Sequence, residues 1–262
     1  MEIKEQYLEL EHGQIFIKQW KFDRIDACQK SPIILFHESL GCVALWRDFP
    51  EKLALRTGRD VIAYDRLGFG QSSIQLKPLE LDFVTEEGKK ILPQILSHLA
   101  LNDFVVMGHS VGGGMATICA ALYPEHCKAV ITESAQSVVE KITLEGIQKA
   151  KISFNDEKLF NRLAKYHADK TQWVLDAWTE TWLSPQFVTW NLDYFLSKVQ
   201  CPLLAIHGEL DEYASIAQPK RFVELTQGIN ELCMIEDCGH FPHQQKPSEV
   251  LASIEKFLKN IE

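Results

Sequence analysis

Residues 104–116 read FVVMGHSVGGGMA. A run of β-favouring apolar residues stops at Gly108-His109-Ser110-Val111-Gly112, and small residues then lead into a helix-compatible segment. A serine at the tip of a tight strand-to-helix turn needs neighbours without bulky side chains two residues before and after it, because the backbone doubles back there; Gly108 and Gly112 meet that need. The helix that follows would aim its free N–H groups and the positive end of its dipole at the site. The plainer reading of Ser110, a small residue where a buried strand meets its helix, stands until partners for it are found.

Working outward, SPIILFH, RDVIAYD, KAVITES and CPLLAIHG repeat the character of FVVM: short apolar runs suited to strands buried on both faces. Between most of them lie segments with helical periodicity, such as WRDFPEKLALRTG and EEGKKILPQILSHLAL. Alternating strand and helix predicts an α/β fold, with a mostly parallel central sheet flanked by helices. The chain opens with YLEL and QIFIKQW around His12-Gly13, an expected hairpin whose first strand has the alternation of a sheet edge. At 262 residues a single α/β domain with an insertion is the natural organisation.

The alternation breaks once. Residues 136–198 carry helix-like segments (LEGIQKAKI, EKLFNRLAKYHA, TQWVLDAWTETWL) and no convincing strand. So long a connection inside a compact domain is usually a functional insertion. The expected organisation is therefore a core of residues 1–135 and 199–262 with a helical cap at 136–198. The cap holds Trp173, Trp178, Trp182 and Trp190, candidates to line a substrate pocket or to glue the cap to the core.

A lone serine needs a base, and the base needs an acid to fix its tautomer. After CPLLAIHG comes Glu209-Leu210-Asp211, and after ELCMIED comes Cys238-Gly239-His240. Both follow strands, where open parallel sheets gather their ligands. Ser110, Asp211 and His240 are thus the candidate nucleophile, acid and base. Glu209 and Glu133 are the competing acids, and His243 is the competing base. His207 and His109 read as structural histidines. A His240-x-x-His243 pair without further ligands nearby in sequence does not make a metal site. An oxyanion would be held by the Val111 N–H and by an N–H of the loop His37-Glu38-Ser39-Leu40-Gly41, with Ser39 the candidate.

The seven cysteines are odd in number and lack CxxC pairing, so they read as reduced, packed thiols, with Cys42 or Cys238 as a catalytic thiol the sharper alternative. The net charge of −9 has no basic block, which argues against nucleic acid. No signal-peptide or membrane-spanning pattern is visible, so the expected setting is the cytoplasm, away from membranes. Oligomeric state is left open.

These motifs resemble the α/β-hydrolase superfamily, in its capped serine hydrolase branch of carboxylesterases, C–C bond hydrolases and lactonases. "LFHESLGCVALW" is similar to the family's oxyanion loop with its trailing Trp46, and "YDRLGFGQSS" to the turn holding Asp65, Arg66, Gly68, Gly70 and Ser72. "GHSVGG", "IHGELDEY" and "CGHFPHQQKP" resemble the nucleophile, acid and base segments. The resemblance implies a serine esterase acting on small or medium carboxylic esters through an acyl-enzyme, without cofactor or metal. C–C cleavage or lactone and lyase chemistry on the same triad is the alternative, and a non-catalytic ligand sensor is the alternative of another class. Epoxide hydrolases and haloalkane dehalogenases carry Asp where Ser110 stands. One departure stands out: Glu38 replaces the family's glycine beside the oxyanion loop histidine. The expectation is that its side chain turns away, orders the loop and pairs with a cation, Arg66 or Arg47.

Overall fold

The computed structural model describes residues 1–22, 30–259 and 261; Cys28 lies outside them. Eight strands, β1 (Glu2–Leu10), β2 (Gly13–Lys21), β3 (Ile33–Phe36), β4 (Val61–Tyr64), β5 (Phe104–His109), β6 (Cys127–Glu133), β7 (Leu203–Gly208) and β8 (Asn230–Ile235), form one sheet. Its order is β1-β2-β4-β3-β5-β6-β7-β8. From β4 to β8 all pairings are parallel, and only β2 runs against them, antiparallel to both β1 and β4. The edge position of β1 is as expected, but the turn is shifted: Leu10 pairs with Gly13, so Glu11-His12 forms the turn and Gly13 begins β2.

Alternation along the buried strands divides the core into two layers. Ile34, Phe36, Val106, Val130, Leu203 and Ala205 face the helices of residues 83–98, 111–122 and 217–225. Ile33, Leu35, Val105, Met107, Ile131 and Leu204 face helices 49–57 and 247–258. Strands covered on both sides must be apolar at every position, which is why they lack a polar/apolar rhythm. Each fully buried aliphatic side chain contributes about 1.5–3 kcal/mol relative to exposure.

Between β6 and β7 the chain is helical, with helices at 141–153, 157–167, 171–182 and 193–196. Its two ends meet at an isolated bridge between Val138 and Asn191, where Leu192 N–H also donates to Ser137 O at 2.8 Å. The C-terminal part merges with the main core: Trp182, Phe187, Leu192 and Leu196 pack in the same cluster as Val84 and Met115. Among the described residues no helix is long and apolar enough to cross a membrane.

Candidate active site

Ser110 sits between β5 and helix 111–122 with φ 55° and ψ −125°, a left-handed conformation that costs a non-glycine residue about 1–3 kcal/mol. The turn is held by Ser110 N–H donating to Glu133 O at 2.8 Å and Gly113 N–H donating to Ser110 O at 2.9 Å. A Cβ at Gly108 would stand 2.0 Å from Gly112 O, and one at Gly112 2.1 Å from Phe36 O. The glycine spacing therefore has the reason expected for it: backbone meets backbone on both sides of the serine.

The loops after β7 and β8 bring Asp211 and His240 to this serine. His240 Nε2 lies 3.0 Å from Ser110 Oγ, and His240 Nδ1 lies 2.9 Å from both carboxylate oxygens of Asp211. Asp211 Oδ1 also accepts from the N–H groups of Tyr213 at 2.8 Å and Ala214 at 3.0 Å. Burial works against ionisation of Asp211, but its hydrogen bond to and the charge of His240, with the Tyr213 N–H, hold the carboxyl below its ordinary value. A carboxylate so placed fixes Nδ1–H on the imidazole and leaves Nε2 to accept the hydroxyl proton.

The competitors are engaged elsewhere. Glu133 accepts from the backbone N–H and from Nδ1 of His243, the latter at 2.8 Å, so the rival acid and rival base form a buried pair of their own. Glu209 is exposed. His207 donates from Nε2 to Ala214 O at 3.1 Å, behind the Asp211 loop. The Cys42 and Cys238 thiols are pushed up to about 12 and about 11, by burial first and then by Asp65 and Glu133 respectively. Neither is a thiolate at neutral pH.

The loop after β3 supplies the facing wall. Neither the Ser39 nor the Val111 N–H finds an acceptor among the described residues. Glu38 O accepts from His37 Nδ1 at 2.8 Å, Arg66 Nη2 at 3.0 Å and Gly41 N–H at 3.1 Å, so the loop is pinned by its main chain. The Glu38 side chain folds beside Gly41, where a Cβ would come 2.3 Å from its Oε2. Its expected cation is neither arginine. Arg66 bonds the Glu38 carbonyl and not its carboxylate, and Arg47 is exposed, whereas His109 Nδ1 stands 3.6 Å from Glu38 Oε2. Burial opposes ionisation of Glu38, but pairing with His109 outweighs it and holds the carboxyl at about 2. His109 thus does more than satisfy a strand end.

Above Ser110 opens a cavity of about 460 Å³, lined by Ser39, Gln136, Ile147, Phe154, Trp178 and Tyr213 among others. Of the four candidate tryptophans, Trp178 and Trp182 border it. Trp173 does not: five residues before Trp178 on helix 171–182, it lies about 140° around the axis. It packs on Gly68 and Phe69 and donates from Nε1 to Lys77 O at 2.9 Å. Trp190 also faces away, stacked on Phe187 and set edge-on to Trp182. Sequence reasoning missed Gln136, whose Oε1 lies 3.3 Å from Ser110 Oγ. No period or motif marks a buried amide three residues beyond a strand. It also missed Tyr213, whose ring lies 4.9 Å from that of His240.

The meeting of Ser110, Asp211 and His240 beyond the ends of β5, β7 and β8 of a parallel sheet, with a second wall from the loop after β3, agrees with the comparisons to known proteins. The sequence profile of the alpha/beta hydrolase fold matches residues 31–168. The proline iminopeptidase of Lactobacillus helveticus is 26% identical over 268 residues, covering 88% of this chain and 90% of that protein. Among solved structures, the proline iminopeptidase of Mycobacterium smegmatis aligns with a TM-score of 0.77 at 17% identity, covering 98% of each chain. A thermophilic esterase from Thermogutta terrifontis aligns at 0.71 and 17%, again over 98% of each. With the profile spanning more than half of the sequence and the strand order in agreement, the chain belongs to the α/β-hydrolase family.

Proposed function

We propose that this hydrolase cleaves carboxylic esters of small or medium size through an acyl-enzyme, with Ser110 as nucleophile, His240 as base and Asp211 as the acid that orients it. The observation that carries the reading is the 3.0 Å approach of His240 Nε2 to Ser110 Oγ while Nδ1 is held by Asp211. Ser110 Oγ attacks the ester carbonyl as its proton passes to His240. The oxyanion that forms takes hydrogen bonds from the Ser39 and Val111 N–H groups. The C–O bond to the alcohol then breaks, and His240 returns the proton to the departing alkoxide. Water next gives a proton to His240 and attacks the acyl carbon; the acyl–Oγ bond breaks, and the proton returns to Ser110.

Residues 136–198 act in this reading as the cap. Helices 141–153 and 171–182 contribute Ile147, Ala150, Trp178 and Trp182 to the cavity wall, which suits an acyl or alcohol group with an apolar or aromatic part. The relative's name says proline iminopeptidase, a reaction that must seat a protonated amine. Of the two carboxylates lining this cavity, Glu38 is matched by His109, while Glu212 accepts the His240 N–H at 3.2 Å. The apolar and aromatic wall beside Ser110 supports an ester over an aminoacyl substrate.

The test is a panel of p-nitrophenyl esters, lactones, a vinylogous diketone and proline p-nitroanilide, assayed on wild type and Ser110→Ala. Ester turnover that falls by about six powers of ten in the variant is expected. Preferential turnover of the anilide or the diketone would reassign the bond, and ester turnover undiminished in Ser110→Ala would remove the nucleophile.

A further inference from the structure

Behind the nucleophile lies a set of groups the proposed chemistry does not use. His109 is fully buried, immediately before Ser110. Its Nε2 lies 2.7 Å from the carbonyl of His240, and since a carbonyl only accepts, Nε2 carries hydrogen. Its Nδ1 has no hydrogen-bond acceptor among the described residues and faces the Glu38 carboxylate at 3.6 Å. A neutral ring with hydrogen on Nε2 would turn a bare lone pair toward that carboxylate. A ring with hydrogen on both nitrogens turns an N–H toward it instead, and both buried groups are then compensated.

The groups around this imidazole are all in view. Glu38 faces it from the oxyanion loop and Glu133 from the end of β6, while the rings of His240, Phe241 and His243 lie 4.9–5.1 Å away in the base loop. Trp46 stands edge-on at 6.4 Å. Glu133 is already matched by His243. Burial works against protonation of His109, but Glu38 and Glu133 outweigh it and raise the imidazole above its ordinary value.

We infer that Glu38 and His109 form a buried ion pair that serves as a positioning device: through Nδ1–H it holds the oxyanion loop, and through Nε2–H it holds the main chain of the catalytic base. The inference rests on the proposed serine hydrolase reading of the same site. It also accounts for a carboxylate where the family has glycine. Its charge is neutralised by the residue next to the nucleophile, so it does not oppose the oxyanion, and the pair spans the two walls that must close on one tetrahedral centre. Neither residue touches the reacting atoms.

The direct test is nuclear magnetic resonance of ¹⁵N-histidine-labelled Ser110→Ala protein, with His109 assigned by comparison with Ser110→Ala/His109→Gln. His109 is expected to show hydrogen on both nitrogens at neutral pH, and Glu38→Gln is expected to lower its titration by about one pH unit or more. A neutral His109 ring at neutral pH overturns the pair, as does a titration indifferent to Glu38→Gln. Because this readout uses protein without the nucleophile, it stands or falls separately from the activity. In the active enzyme, Glu38→Gln should lower kcat on the order of 10- to 100-fold with KM little changed, and move the alkaline limb of the kcat profile to lower pH. The double variant Glu38→Gln/His109→Gln should lose no more than the worse single one. An unchanged or raised kcat in a folded Glu38→Gln protein overturns the positioning role.

Discussion

His167, at the end of helix 157–167, donates from Nε2 to the carbonyl of Leu40 at 2.9 Å, tying the helical insertion to the loop that carries Ser39. Its Nδ1 accepts from the Gly70 N–H at 3.0 Å, so the contact requires one neutral tautomer. The neighbouring Lys170 Nζ donates to the carbonyls of Gly70 and Ser72, both at 2.5 Å, so the same helix end grips the 65–72 turn twice.

That geometry sets a pH dependence. Burial, assisted by the charge of Lys170 against the opposing Leu40 bond, holds His167 below its ordinary value of 6.5. A histidine whose folded-state value is depressed contributes stability that is fully present above 6.5 and is lost as pH falls through the folded value. Replacing His167 by Gln removes the proton-linked part. The stability advantage of wild type over His167→Gln should therefore be largest above pH 6.5, about 0.5–1.5 kcal/mol per hydrogen bond lost, and narrow in acid. Urea unfolding of both proteins across that range reads it; an advantage that widens in acid would contradict the neutral bridge.

Gln136, buried like Ser110, places an amide 3.3 Å from Ser110 Oγ. Glu in its place keeps the shape and adds a carboxylate beside the developing oxyanion. Gln136→Glu should lower kcat on the order of 10²–10³-fold, comparable to loss of an oxyanion donor. Steady-state kinetics on a p-nitrophenyl ester checks this, and turnover near wild type would show that the amide faces away from the reacting centre.

The tryptophans separate by face. Trp178 borders the cavity whereas Trp173 packs on Gly68 and Phe69, so truncation should divide two properties. Trp178→Ala should change KM and the preference among acyl chain lengths. Trp173→Ala should leave that preference alone and lower stability by about 0.5–3 kcal/mol. A chain-length profile moved equally by both would contradict the assignment of faces.

Much of this site was legible because its parts are local. Ile33–Phe36 and residues 104–107 are apolar at every position, as doubly covered strands must be, and the glycines around Ser110 mark a turn that only a missing Cβ permits. Asp211 and His240 follow strands in an order that foretells convergence. Relations across loops left no trace. Glu38 meets His109, and Glu133 meets His243, through space alone, with no sequence spacing to betray either pair. Trp173 and Trp178 share a helix and face opposite ways, so periodicity placed them relative to each other without saying which faced the cavity. The hairpin turn moved by one residue because Gly13 serves as the first residue of a strand.

The most direct test of the account is covalent labelling by a fluorophosphonate, with the adduct located by mass spectrometry in wild type and His240→Ala. A single adduct on Ser110 is predicted, dependent on folded protein and slowed by about three powers of ten or more without the imidazole. An adduct elsewhere, or labelling of Ser110 in His240→Ala at the wild-type rate, would contradict a serine activated by His240.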